Sequence, residues 1–388
     1  MKHSKLMVPG PVEVSHDVMQ QMSSPQIPHY SEEAIGIYNS CLEKLKKIFR
    51  FRENGDVFIM PGSGSVALDA AIGTVVRRGD KVLVGVNGMF GERMKTIALS
   101  YGAEVVEVKV EEGKAITGKM LEGEATKNLD LKAILIVHLE TSTGVLNPIK
   151  EIGEVAKKID IPLIVDAVAS IGVEEFFIDD WNVSFCGTCT QKGLETPPGL
   201  GIVGVGKGGW KFIKKGEQSD HGWYSNLLSW KEAPLVNKIR KGLSYPLWVT
   251  MPVNNVKSLH LSLSKIIDEE GIEKRIKRHS KMAFMVREGL ENLGFELFPE
   301  KGYFANAVTV MRNNLGINVW ELIEFLKQNY NIEISNGLGK LNNKIFRIGH
   351  IGQSASLDYV VPVLFGIEHY LREKGFNIPV GASLVGVK

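Results

Sequence analysis

Short runs of β-branched and other apolar residues alternate with longer stretches of helical period, a rhythm that sets in near Asp56. The runs at 57–60, 81–86, 104–108, 133–137, 162–165, 183–185 and 202–205 predict strands. Helices are predicted between most of them, over 66–76, 91–101 and 149–159. Strands apolar at nearly every position, joined by helical crossovers, imply a mainly parallel sheet covered on both faces. This first unit is therefore read as α/β.

From about Pro252 the texture changes. Two long amphipathic segments, 255–268 and 272–293, follow each other with only 269–271 between them. Shorter strands are predicted at 295–298, 307–311, 332–335 and 345–348, with helices over 319–328 and 357–374. The pattern divides the chain into a large domain over 16–254 and a smaller α+β domain over 255–388, preceded by an arm over 1–15. A chain of 388 residues suits two domains at roughly 150 residues each. No internal repeat, low-complexity tract or run of like charge is visible.

Charge narrows the partners. With 46 Lys+Arg against 44 Asp+Glu the net charge is +2, too balanced for a surface whose main task is to hold nucleic acid or an anionic membrane. Hydrophobic residues at 44% and charged ones at 23% exclude disorder as the dominant state. Three cysteines make no disulfide framework and suit a reducing compartment. The opening MKHSKLMVPGP shows no secretory signal pattern, and the most apolar stretches fall well short of the ~18 residues of a membrane helix, so a cytoplasmic protein is expected.

Ligands of open α/β sheets collect at the carboxyl ends of the strands, and four such places carry candidate chemistry. Pro61-Gly62-Ser63-Gly64-Ser65 follows a strand and opens a helix. It reads either as an anion cradle at a helix N-terminus or as a Gly-rich turn with Ser65 as the N-cap. It is neither a Walker loop nor a complete dinucleotide fingerprint. Asp166 ends an apolar strand, so its carboxylate needs a cation, a metal or a donor, unless it caps the next segment. His138-Leu139-Glu140-Thr141-Ser142-Thr143-Gly144 sets hydroxyls at the same edge, as ligand contacts or as a plain turn. Cys186 and Cys189 lack a second cysteine pair, with Cys41 far off, so no metal site is expected. Lys192, between Gln191 and Gly193 with a rigid Pro197-Pro198-Gly199 after it, is either a loop lysine in solvent or an amine able to form a Schiff base.

Taken in order, these pieces resemble the class V aminotransferases of the fold-type I pyridoxal-phosphate enzymes, and among them the alanine–glyoxylate and serine–pyruvate aminotransferase group. The likeness runs over nearly the whole chain. It rests on Pro9-Gly10-Pro11, Gly62-Ser63-Gly64, Asn87-Gly88 ahead of Phe90-Gly91, and Glu140-Thr141-Ser142-Thr143-Gly144. It continues with Val165-Asp166-Ala167-Val168, Gln191-Lys192-Gly193-Leu194, Thr250-Met251-Pro252-Val253 and Arg347-Ile348-Gly349-His350.

The resemblance implies a fold-type I architecture and pyridoxal 5'-phosphate as cofactor. It implies that Lys192 holds the cofactor as a Schiff base while Asp166 keeps the pyridine nitrogen protonated. Ser63, Gly64, Ser65 and Gln191 would take the phosphate, with Thr250 reaching in from a second subunit of a homodimer. Thr141 would bond the ring hydroxyl, and Phe90 and Val168 would pack on the two ring faces. Arg347, with Gly10 of the N-terminal arm, would face the substrate and grip its α-carboxylate.

Two departures stand out. Phe90 replaces the tryptophan common in relatives, and Leu247, near Tyr245 and Trp248, stands where some have a phosphate-binding tyrosine. The expected reaction is ping-pong transamination from a small L-amino acid, alanine or serine, to glyoxylate or pyruvate, because no second arginine stands out for a dicarboxylate. Aspartate, ureidoglycine or 2-aminoethylphosphonate donors, and a non-catalytic subunit of a complex, remain as alternatives. A cysteine desulfurase would need a cysteine in the C-terminal part, and none follows Cys189.

Overall fold

The computed structural model describes residues 4–52, 55–213, 222–238 and 249–386. Tyr245, Leu247 and Trp248 lie outside the described residues.

Seven strands form the main sheet: β1 (Asp56–Gly62), β2 (Lys81–Val86), β3 (Glu104–Lys109), β4 (Leu131–Val137), β5 (Leu163–Asp166), β6 (Phe185–Cys189) and β7 (Gly199–Val205). Their order is β1-β7-β6-β5-β4-β2-β3. Only β7 runs against its neighbours, antiparallel to β1 and β6. All seven expected strands are present. The carboxyl ends of β1, β2, β4, β5 and β6 therefore open on one edge, where the candidate residues of the sequence fall.

Helices cover the sheet. Gly64–Val75 begins directly after β1, capped by Ser63, whose hydroxyl accepts from Ser65 N at 3.3 Å. Ser63 is thus the N-cap, a position the sequence reading had considered for Ser65. The helix Glu32–Phe49 was not foreseen, although Ile35, Tyr38, Cys41, Leu45 and Ile48 line one face and Ser31 caps it. Its apolar spacing and its Ser-Glu-Glu start were both readable signals.

A second sheet is antiparallel throughout, ordered β8 (Glu296–Leu297), β9 (Val308–Arg312), β11 (Ile345–Gly349) and β10 (Ser335–Asn336). The expected strand at 332–335 divides in two. Ile332–Glu333 pairs in parallel with Lys5–Leu6 from the opposite end of the chain, and the rest belongs to β10.

Packing locates the change of core further along than the expected boundary at 255. Val256, Leu259 and Leu263 of the helix Val253–Ser264, and Ile272 after it, join the core of the large sheet. The second core begins at Met282 and also takes in Met7. The change from one core to the other falls between Ile272 and Met282, within the helix Ile272–Asn292. A third cluster, including Leu139, Val173, Ala307 and Val310, fills the seam between the two parts. Among the described residues no helix is long and apolar enough to cross a membrane.

Candidate active site

A cavity of about 190 Å³ lies at the carboxyl edge of the main sheet, lined by Ser63, Gly64, Ser65, Phe90, Thr141, Asp166, Val168, Gln191 and Lys192 among others. Residues spread over 130 positions of sequence converge there because each lies at the end of a strand or within a few residues beyond it.

Asp166 closes β5 and is 4% exposed. One oxygen, Oδ1, accepts from Val168 N at 2.9 Å; the capping role weighed from the sequence is therefore real, but it occupies only half of the carboxylate. Oδ2 has no hydrogen bond from any described residue. Burial pushes the Asp166 pKa up to about 7, with the Glu140 carboxylate adding to the rise. Such a group calls for a cationic or N–H partner.

Lys192 lies beyond the end of β6, with its Nζ donating to Pro9 O. Burial lowers its pKa, and the positive charges of Arg347 and Arg93 act in the same direction. The N-terminal arm passes directly over this amine. A Cβ on Gly10 would stand 2.3 Å from Lys192 Nζ, and the backbone there has φ of +134°, so glycine is required both for space and for conformation.

Ser63 and Ser65 are exposed at the first turn of Gly64–Val75, where free backbone N–H groups and the helix dipole favour an anion. Gly64 is packed so closely on Val168 that a Cβ would meet its Cγ2 at 2.8 Å. Gln191 carries a buried Oε1 with no partner; turning the amide over would present a donor instead.

Arg347, on β11, is 6% exposed and reaches the cavity wall through Thr141. Its Nε donates to Asn336 O at 2.9 Å and its Nη1 to Thr141 O at 3.2 Å. Burial brings its pKa down to about 10, still protonated at neutral pH, while the Glu140 charge acts against the fall. Thr250 is exposed and does not line its own chain's cavity.

Of two further residues of this region, Arg93 is absent from the sequence motifs and Glu140 stands in one without a role. Arg93, one turn after Phe90, lines the cavity with its guanidinium 4.8 Å from the Phe90 ring centroid. The signal was the i, i+3 spacing on the helix Met89–Ser100, and it corrects the expectation that no second arginine stands near. Glu140 is fully buried and accepts from Phe90 N at 2.9 Å, Gly91 N at 3.1 Å and Ser142 N at 3.1 Å, as well as from the Ser142 hydroxyl. A carboxylate from one loop thus caps the helix that presents Phe90. Cys186 and Cys189 are buried free thiols three positions apart on a strand, so they point to opposite faces and cannot pinch one ion.

The family model for class-V aminotransferases matches residues 12–341. An uncharacterized aminotransferase of Methanocaldococcus jannaschii is 39% identical over 378 residues, covering 96% of this chain and 94% of that protein. Alanine–glyoxylate aminotransferase of Drosophila melanogaster is 29% identical, covering 98% and 95%. The solved structure of ureidoglycine–glyoxylate aminotransferase from Bacillus subtilis superposes with a TM-score of 0.90 at 28% identity, covering 99% of this chain and 97% of that one.

Enzymes of this class depend on pyridoxal 5'-phosphate. The cavity suits that group: it offers an amine of lowered pKa, a buried acid with an idle oxygen, and an anion cradle at a helix N-terminus. The chain belongs to the class-V aminotransferases and is a pyridoxal-phosphate-dependent transaminase.

Proposed function

We propose that the protein moves the amino group of a small L-amino acid, alanine or serine, to glyoxylate or pyruvate. The observation that carries the α-amino acid part of this reading is the state of Arg347, and the small side chain follows the likeness to alanine–glyoxylate aminotransferase. Arg347 is a buried guanidinium with no carboxylate partner among the described residues, because Glu140 is occupied by four donors of its own loop and helix. A buried cation held only by carbonyls is completed by an incoming carboxylate, which its planar fork grips bidentately.

Bound pyridoxal phosphate supplies an electron sink for negative charge at the substrate α-carbon. The chain's residues do the rest. Lys192 would attach the cofactor through Nζ, and the same amine, whose pKa burial lowers in the cofactor-free chain, would take the α-proton and return it. Asp166, with Oδ1 taken by Val168 N, would hold a proton on the ring nitrogen through its other oxygen. Ser63, Gly64, Ser65 and Gln191 receive the phosphate, and Thr250, exposed on its own chain, adds a contact across a homodimer. Phe90 and Val168 enclose the ring between them, while Thr141 bonds its hydroxyl and buttresses Arg347 through its carbonyl. Gly10 lets the arm close over the amine and excludes water. Donor and acceptor each bring one α-carboxylate to Arg347, so the two half-reactions share one site and follow each other.

Lys192→Ala should abolish both turnover and the visible absorbance of the lysine-bound cofactor; turnover at the wild-type rate would end the proposal. Single-turnover half-reactions with a panel of amino acids test the donor, and L-alanine and L-serine should react fastest.

A second reading has one observation behind it. Arg93 lines the cavity without an acidic partner among the described residues, and a distal carboxylate, as in aspartate, would satisfy it. If Arg93→Ala slows the aspartate half-reaction and spares alanine, with aspartate the faster donor in the parent enzyme, this second reading replaces the first.

A further inference from the structure

Behind the Lys192 loop stands a guanidinium that does not touch the cavity. Arg275, on the helix Ile272–Asn292, is 2% exposed. Its Nε donates to Gly172 O at 2.8 Å, and its Nη2 donates to Gly193 O at 2.9 Å and to Glu195 Oε2 at 2.6 Å. Its Nη1 donates to Glu270 Oε2 at 3.1 Å.

The two carbonyls belong to different loops. Gly172 lies in the run of turns that follows Asp166, and Gly193 directly follows Lys192. The loops are already in contact there: a Cβ on Gly193 would stand 2.1 Å from Ile171 O, and one on Gly172 would stand 2.9 Å from Gly193 O. One rigid fork therefore bridges the backbone behind the acid and the backbone behind the amine.

Glu195 extends the bridge. It sits in the left-handed region at φ of +46°, its N–H returns to Lys192 O at 2.9 Å, and its Oε1 accepts from Gln353 N at 2.6 Å. Arg278, one turn beyond Arg275, donates to Glu270 and to the carbonyls of Gly352 and Ala355. His279 Nε2 accepts from Gly352 N at 2.8 Å. Residues 352–355 follow closely on β11, the strand that carries Arg347. A buried guanidinium in a partly exposed ion cluster of this kind returns little stability compared with apolar packing, whereas it fixes geometry well.

We propose that Arg275 is a positioning residue: it sets the Lys192 amine against the Asp166 carboxylate and, through Glu195, ties the lysine loop to the segment behind Arg347. The proposal rests on the reading that Lys192 carries the cofactor.

The test uses the full-length enzyme and two variants. Arg275→Lys keeps the charge but cannot reach both carbonyls, and Glu195→Gln keeps the size and the acceptor for Gln353 N. Each is measured for unfolding temperature, cofactor affinity of the cofactor-free protein, pH titration of the visible absorbance of the lysine-bound cofactor, and kcat and KM for L-alanine. Misplacing a reacting amine by a fraction of its reach costs about tenfold to a hundredfold in rate, so kcat for Arg275→Lys should fall by that much with KM within about twofold. Its absorbance titration should shift and its cofactor should bind more weakly, and Glu195→Gln should move the same readouts less far.

A lowered unfolding temperature with the titration, cofactor affinity and kcat all at wild-type values would overturn the proposal. If Arg275→Lys does not fold, Glu195→Gln decides on the same readouts. Should Lys192→Ala bind cofactor with the parent absorbance, the reading beneath this proposal fails instead, whatever Arg275 does.

Discussion

Asp166 concentrates the electrostatics of the site in one side chain. Its folded pKa of about 7 lies above the usual carboxylate range of roughly 4, so the cofactor-free protein binds an extra proton between those values. The sign follows: its contribution to stability is fully present below pH ~4 and is lost as pH rises through about 7. Cofactor-free Asp166→Asn should therefore be more stable than the parent at pH 8, on the order of 2 kcal/mol, and no more stable at pH ~4. Denaturant unfolding at the two pH values checks this. With cofactor added the order should reverse, since asparagine cannot balance a ring N–H⁺ and turnover should collapse. Arg347 has a complementary signature. Arg347→Lys keeps a charge but loses the fork, and should raise KM for L-alanine by about tenfold or more, with a smaller effect on kcat in steady-state assays. Position after an apolar strand put Lys192, Asp166 and the serines at the sheet edge, where the cavity is found, whereas the roles expected of them came from the family resemblance. Arg93 was legible only as an i, i+3 neighbour of Phe90, and that spacing gains meaning once the helix is known to open on the cavity.

Two helices direct their N-termini at the cavity, and their caps differ in origin. Gly64–Val75 is capped locally by Ser63, so Ser63→Ala should cost about 1 kcal/mol in the cofactor-free protein and weaken cofactor binding besides. Met89–Ser100 has no side-chain cap of its own; Met89 N donates to the Ser142 hydroxyl, and the carboxylate of Glu140, 50 residues away in sequence from Phe90, takes the next two N–H groups, those of Phe90 and Gly91. Burial raises the Glu140 pKa, while the donors from Ser142, Gly91 and Phe90 oppose the rise. Glu140→Ala would leave three buried backbone N–H groups without an acceptor, and a loss of about 2–3 kcal/mol is expected in urea unfolding. The contrast explains what could be read from the chain. A cap two residues from its target is a local pattern, and so were the strands from β1 to β7. A cap delivered across the sheet edge is not local, and neither is the pairing of Lys5–Leu6 with Ile332–Glu333, which split a run that looked like one strand.

The two cores meet across a largely apolar seam that the Glu174 carboxylate also crosses. Glu174, from the large domain, reaches over to accept from Asn306 N and Ala307 N at the start of β9, and from the Asn306 amide at 2.9 Å. Ala307 belongs to the apolar cluster that fills the seam, so the carboxylate fixes the small sheet, and with it Arg347 on β11, against the large one. Burial pushes the Glu174 pKa up to about 7, although its three donors and Arg287 oppose the rise. Its folded value stands above its unfolded one, so stability from this group is fully present below pH ~4.5 and is lost as pH rises through about 7. Buried His138 and His350, whose pKa values burial lowers to about 3, act with the opposite sign over much of that window. They are the same in a Glu174→Gln variant and cancel in the comparison. Between pH ~5 and ~6.5 the wild-type protein should therefore lose up to about 1.4 kcal/mol per pH unit relative to Glu174→Gln, with the two profiles running parallel above pH ~8. Urea unfolding of the cofactor-free proteins across that range measures the difference directly. Parallel profiles throughout would mean that Glu174 titrates as an ordinary carboxylate and that apolar contact alone sets the seam.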